Sequence, residues 1–410
     1  MTDNIDTPAA RHPAASALLR GIYLPRAADG AAFAMTTYGI PLLVLAATGS
    51  ATLTGLAFAL EWLPRLGAFT VAGTVVDRYG TGLIFRVACV VRAVIVLASA
   101  LLLTVVDERA PAATATVLAL AALTGVATEF SYVAAETAGG EASRLAAGRA
   151  HQVQSVLLGI DQTAMLAGPL VSGLLLEHGG PAVMLGTLAG FSVLAAALGT
   201  RGRNGPLSSE WGQSGLRTGW TTLRSLPALA WLVGGLVVSN CAIGLLQAAM
   251  PVIVVTELGR SSADAGLIWS IAALASLLAI TAARRAIDRW GLWPVGAAAA
   301  AVAASATLAV AQAGTYRGYL LLVALLMAGE GGLTVVLRTL RSHLIPSEVF
   351  GSTLSLTILL LLLPFPAAGL LVAVLPPAQL GNAVTAAAVL QAIGLATAFT
   401  RLRTLRATPV

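Results

Sequence analysis

Apolar stretches of about 20 residues follow one another along nearly the whole chain, and this repetition decides what it can fold into. A helix of that length satisfies its own backbone hydrogen bonds inside a bilayer, which irregular or open-edged structure cannot do. Sliding a window of that size along the 410 residues predicts twelve spans, at about 18–46, 52–76, 83–106, 112–137, 153–177, 181–200, 228–256, 263–283, 292–313, 317–338, 351–375 and 380–400. Only 10% of residues are charged and 57% are hydrophobic, which excludes an ordinary soluble domain with about 25% charged residues. The first 17 residues are polar, with Pro8 and Pro13, so no removable leader is expected and the first span stays in the mature chain.

The longest polar stretch, 201–227, separates spans 6 and 7 and divides the chain into halves 1–200 and 228–410. Within it Trp211, Leu216, Trp220 and Leu223 recur at helical spacing, as in a helix lying in the membrane interface. All 24 basic residues are arginine, and the net charge is +6. They punctuate the apolar runs instead of forming a patch, so no nucleic-acid partner is expected. With the N-terminus in the cytoplasm, eighteen arginines fall on cytoplasmic segments and only Arg109, Arg260 and Arg317 outside. Basic loops resist translocation, so both termini are expected in the cytoplasm. Arginine without lysine, with abundant alanine and glycine, fits a GC-rich bacterial genome and hence a bacterial cytoplasmic (inner) membrane.

The halves share a local pattern at an offset of 211 residues: Val76-Asp77-Arg78-Tyr79-Gly80 after span 2 and Ile287-Asp288-Arg289-Trp290-Gly291 after span 8. Repeated six-helix halves are one way in which secondary transporters build two bundles around a central site. With Gly73 four residues before Asp77, the first copy reads G-x-x-x-D-R-x-G and resembles the loop 2-3 motif of the major facilitator superfamily, with Thr81 and Gly82 where a basic pair usually stands. Gly168-Pro169-Leu170-Val171-Ser172-Gly173 in span 5 is similar to the superfamily's exporter motif, with serine for one glycine. Span 4 lacks the arginine of many drug/proton antiporters and carries Glu129. With Asp29 and Glu61-Trp62-Leu63-Pro64-Arg65, this is closer to the enterobactin-exporter and macrolide-efflux branch.

The resemblance implies an all-α membrane protein of twelve transmembrane helices in two six-helix bundles, working as a monomer without a cofactor. It further implies export of a small organic molecule, a drug or a siderophore-like chelator, in exchange for protons. In it Gly73, Asp77, Arg78, Gly80, Asp288 and Arg289 form a conformational latch, and Gly168, Pro169 and Gly173 a hinge. A second resemblance is to ferroportins, carried by Asp29, by Ile160-Asp161-Gln162 and by Asn240-Cys241. It implies divalent-metal export with Asp29 and Cys241 as ligands, although no histidine occurs within 380–400 to match the second ferroportin site. Otherwise Cys89 and Cys241, both inside apolar runs, read as packing residues.

An ionisable side chain at bilayer depth costs about 3 kcal/mol on insertion scales, so each is a functional candidate. These are Arg26, Asp29, Glu61, Arg65, Arg92, Glu129, Glu136 and Asp161 in the first half and Glu330 in the second. Asp29, about eleven residues into span 1, leads the proton-coupling candidates, ahead of Asp161, Glu129 and Glu330. Arg26, one turn away, is its expected partner. Glu61 and Arg65 are spaced i, i+4 and read as a structural pair, and Glu136 as solvated. Glu330 among Gly329, Gly331 and Gly332 reads as a gate or a close-approach site. Phe33, Tyr38, Asn240 and Gln247 are the candidate substrate contacts. No nucleotide-binding loop and no nucleophile–base arrangement appears, so neither an ATP-driven pump nor an enzyme is expected.

Overall fold

A computed structural model describes residues 15–106, 110–145, 150–199, 216–346 and 349–407, and among these there is no strand. The predicted spans appear as long helices: α1 (Leu19–Thr48), α2 (Ala51–Tyr79), α3 (Thr81–Val105), α4 (Pro111–Leu145) and α5 (Ala150–Leu198) in the first half. After the short α6 (Leu216–Ser225) come α7 (Pro227–Glu257), α8 (Ser262–Trp290), α9 (Leu292–Val310), α10 (Tyr316–Leu344), α11 in two runs (Phe350–Leu362 and Pro364–Val374) and α12 (Pro377–Ala407). Among the described residues ten helical segments are long and apolar enough to cross a membrane. The less apolar α2, with Glu61 and Arg65 at its middle, is not one of the ten, and α5 enters as one segment although Gly180 (φ 72°) bends it into two arms. In the linker, Trp211 lies outside the described residues. Leu223 of α6 is buried, while Leu216 and Trp220 are exposed.

Local signals end these helices where the sequence changes register. Gly49 caps α1 in the left-handed region, the Ser50 side chain caps α2, and Ser261 with Asp264 forms a capping box on α8. The internal repeat is visible in the backbone. Gly80 and Gly291 adopt φ 89° and 86°, and each donates its N–H to a carbonyl four residues back, Val76 and Ile287, at 2.8 Å. Arg78 and Arg289 then lie over the neighbouring rings of Tyr79 and Trp290.

The two halves meet along α2 with α11 and α5 with α8, and the contact is lopsided. At one end small residues bring backbones together. A Cβ on Gly55 would stand 2.5 Å from the Ala373 nitrogen, and one on Gly369 2.5 Å from the Ala59 nitrogen. Across the molecule a Cβ on Gly173 would meet the Ser262 carbonyl at 2.3 Å, and one on Gly266 the Pro169 carbonyl at 2.2 Å. The Ala263 N–H donates to Glu177 at 3.1 Å beside this second contact. Toward the other end burial falls away on all four helices: Ile160 to Leu166 are half-buried, as are most of 273–280 and 358–362, and a Cβ on Gly73 would meet nothing within 4 Å. The passage between the halves is therefore sealed at the end holding residues 49–50 and 258–261, and open at the end holding 80 and 291.

Gly55→Leu overpacks the sealed end by about 1–3 kcal/mol and is expected to drive α2 and α11 apart. A cysteine placed at Phe58, fully buried here, should gain reactivity toward a water-soluble maleimide in that background. Unchanged protection would show that the glycine contact does not hold the seal.

Candidate functional site

Three arginines organise the acids of the first half. Arg26 of α1 reaches across to α5 and α4. Its Nε donates to Asp161 Oδ1 at 2.7 Å, its Nη2 to Asp161 Oδ2 at 2.8 Å, and the same Nη2 to Glu136 Oε1 at 2.5 Å. The arginine is buried, while the Asp161 and Glu136 side chains remain 30% and 50% exposed. The guanidinium also lies 5.1 Å from the Tyr132 ring centroid. This cluster stands where burial falls away on α5, so it belongs to the wall of the open half.

Asp29 is engaged elsewhere. Arg92 of α3, fully buried, donates to Asp29 Oδ1 at 2.7 Å and to Ser192 Oγ at 2.9 Å, with Ser131 and Thr128 hydroxyls at 3.3 and 3.5 Å. The Cys89 sulfur lies 3.7 Å from the same Asp29 oxygen. The expected Arg26–Asp29 pair is thus corrected: the two side chains leave α1 toward different helices, and each finds its counter-charge there. Such a buried pair orders the helices around it.

The third arginine, Arg65, lies between the rings of Phe33 (4.6 Å) and Trp62 (4.5 Å), and its Nε donates to Glu129 at 2.5 Å. Glu61, the partner expected from i, i+4 spacing, is 3.9 Å from Arg65 Nη1, an ion pair without a hydrogen bond. Trp62 stacks on Phe365 of α11 at 4.5 Å, and Tyr38 packs against Trp269 of α8 at 5.5 Å. Tyr38, expected to meet substrate, thus packs into the inner face of the seal in this conformation.

In the second half Glu330 accepts from Ser239 and, at 3.2 Å, from Gln391, joining α7, α10 and α12. The glycines around it make close approaches: Cβ atoms on Gly329 and Gly331 would fall 2.7 Å from backbone atoms of α9 and α8. Ser239 and Gln391 were not singled out from the sequence, where they look like isolated polar residues in apolar runs. Asn240 donates to the Leu361 carbonyl at 2.7 Å. Gln247 is buried with Thr37, Tyr38 and Trp269 around a cavity of about 10 Å³, room for no more than a water.

Asp77 and Asp288 of the latch motif make no hydrogen bond or ion pair among the described residues, and partial burial holds the Asp77 carboxyl above the usual range. Gly168 and Gly173 pack closely against neighbouring helices, α1 and α8. A Cβ on Gly168 would meet Ala34, and the Leu170 N–H donates to Ser270 of α8 at 3.2 Å. The alternative metal pair is not assembled, since Asp29 is closed off by Arg92 and Cys241 is exposed on α7. Among the described residues no three His, Cys, Asp or Glu side chains come together in a way that could hold a metal ion.

Long apolar helices in two packed halves define a multi-pass membrane protein. The sequence matches the Major Facilitator Superfamily over residues 26–365, and the chain belongs to that family. No curated protein matches it. Among solved structures it is similar to a bacterial homologue of the iron transporter ferroportin in the inward-facing state, with 16% identity, TM-score 0.68, and 92% of this chain and 97% of that one covered. A bacterial metal transporter gives 15% identity and TM-score 0.66 over 92% and 97% of the two chains. A bacterial ferroportin homologue in the outward-facing state with soaked iron gives 15% and 0.60 over 94% and 98%. At these identities the likeness shows a shared fold.

Removing Arg92 leaves Asp29 buried without a counter-charge, so Arg92→Leu is expected to cost about 3–5 kcal/mol and to lower the melting temperature in detergent sharply. Arg26→Leu should cost less, because water reaches Asp161 and Glu136. Equal losses would contradict the difference in solvent access.

Proposed function

We propose that the protein exports small organic molecules across a bacterial cytoplasmic membrane by alternating access between two six-helix bundles, 1–200 and 228–410, joined by the 201–227 linker and driven by protons. Twelve crossings follow from the ten apolar segments by adding α2 and by counting the two arms of α5 separately. With the arginine-rich end in the cytoplasm, both termini lie there and the open end faces inward. The unpaired Asp77 and the empty space beside Gly73 then belong to a released latch.

The observation that carries the substrate reading is the Arg26–Asp161–Glu136 cluster. It sets two carboxylates against one guanidinium in the wall of the open half, with rings of Phe33 and Tyr132 close by. An excess of negative charge beside aromatic surface suits a cationic or amphipathic organic molecule. Of the four acids first considered for coupling, Asp29 and Glu129 serve as fixed counter-ions here and Glu330 is held by Ser239 and Gln391, so Asp161 is the one that faces water.

Divalent-metal export is the second reading, favoured by the solved neighbours named as iron or metal transporters. Against it, a transition metal needs several free donors, and arginines occupy the acids that would supply them. In proteoliposomes, wild-type protein is expected to move tetraphenylphosphonium, and Asp161→Asn to lose most of that transport while still folding. Calorimetry with Fe²⁺ should show no saturable binding. A micromolar site lost in Asp29→Ala and Cys241→Ser would replace this reading with metal export.

A further inference from the structure

Five buried polar atoms that make no hydrogen bond of normal geometry lie on α1 and α2, where the halves close on one another: both carboxylate oxygens of Glu61, with the Thr37 hydroxyl beside them, Thr37 Oγ1 itself, Trp62 Nε1 and Arg65 Nη1. Buried polar groups are nearly always satisfied, so such a cluster needs an explanation. Charge balance supplies one. Glu61, Arg65 and Glu129 are all buried and set two carboxylates against a single guanidinium. Glu129 takes the short hydrogen bond from Arg65 Nε, and Glu61 is left at 3.9 Å from Nη1. Among the described residues Arg65 is the cation that acts on it. Its neighbours from α1 are Thr37 and the Tyr38 phenol, α4 presents the Gly125 backbone and Glu129, and α11 presents the Phe365 ring through Trp62.

We propose that Glu61 is a proton-binding group of the seal, carrying its proton while Trp62 stacks on Phe365 and exchanging it with water at that end when α2 and α11 part. This rests on the reading of the protein as an alternating-access transporter and makes closure of the sealed end depend on pH on that side. Protonation removes the excess charge, and the resulting O–H can donate to Thr37 Oγ1. Thr37 lies in the π-helical turn Met35–Gly39 of α1, a local distortion of the kind that accompanies functional sites. Loss of the proton leaves two carboxylates facing one guanidinium in a low-dielectric site, and opening toward water relieves that repulsion. Opening also unstacks Trp62 from Phe365 and frees the indole N–H for solvent. The Asp161 cluster, open to the other side, is where the organic cation binds in this conformation.

Infrared difference spectra of the purified full-length protein in lipid, recorded from mildly acidic to mildly alkaline pH, test the assignment without any substrate. The wild type should show a protonated-carboxyl C=O band that disappears as pH rises. Glu61→Gln should lose one component of it, Glu61→Asp should restore that component shifted, and Asp161→Asn should leave it in place, with Glu330→Gln marking any contribution of the buried acid in the second half. A titrating band undiminished in Glu61→Gln overturns the proposal whatever the transport assays show. In proteoliposomes Glu61→Gln should still exchange tetraphenylphosphonium down its own gradient but lose the dependence of that exchange on pH at the sealed end. Failure of the wild type to move the probe would count against the organic-cation reading alone, since the infrared result decides Glu61 independently.

Discussion

A bilayer interior tolerates a charge only beside its opposite, and the architecture of the first half follows from that constraint. Each of Arg26, Arg65 and Arg92 sits on a different helix and reaches acids on others: α1 to α4 and α5, α2 to α4, α3 to α1. These bonds fix the relative rotation of five helices whose apolar faces are otherwise interchangeable, because lipid tails are as apolar as leucine and give packing little direction. The three sites differ in solvent access and therefore in what they can do. Arg92 with Asp29 is buried and matched in charge, Arg65 is buried and one proton short of balance, and Arg26 is exposed on its acidic side.

The second half answers with hydrogen bonds in place of ions. Glu330, Ser239 and Gln391 tie α10 to α7 and α12 with one ionisable group among them. This asymmetry puts the buried ion pairs found among the described residues in the first half. The two bundles meet through paired glycine contacts, Gly55 with Gly369 and Gly173 with Gly266 across from each other, so closure of one end is a matter of backbone fit. Fit of that kind is bistable, since helices either interlock or separate.

The helices, their order and the repeat were legible in the sequence because each rests on a local signal: apolar length, a capping residue, a glycine at a fixed turn. Gly80 and Gly291 share a backbone conformation that the matching pentapeptides foretold. The identities of the ionised side chains were legible too, but their pairing was not. Arg26 looked like the partner of Asp29 by spacing, whereas the distance that matters runs between helices and depends on rotations that no sequence neighbour reports. For the same reason Arg92 was visible without a role, and Gly55, Gly266 and Gly369 were indistinguishable from the many other glycines of apolar runs. Asn240 and Gln247 share a helical face as read, yet one bonds a carbonyl of α11 and the other lines a gap the size of a water.

The likeness to ferroportin homologues is one of fold. The backbone arrangement is shared over nearly the full length of both chains, while the aspartate that suggested a metal ligand in α1 is spent on Arg92. A divalent ion would have to displace a guanidinium held by an aspartate and three hydroxyls in a buried site, losing a matched ion pair to gain one carboxylate. At Asp161 and Glu136 Arg26 is shared between two carboxylates that are 30% and 50% exposed, so part of the acidic surface still meets solvent. Under the proposed reading, substrate class is set by which of the arginine-paired acids keep an exposed side, and in the first half those are Asp161 and Glu136.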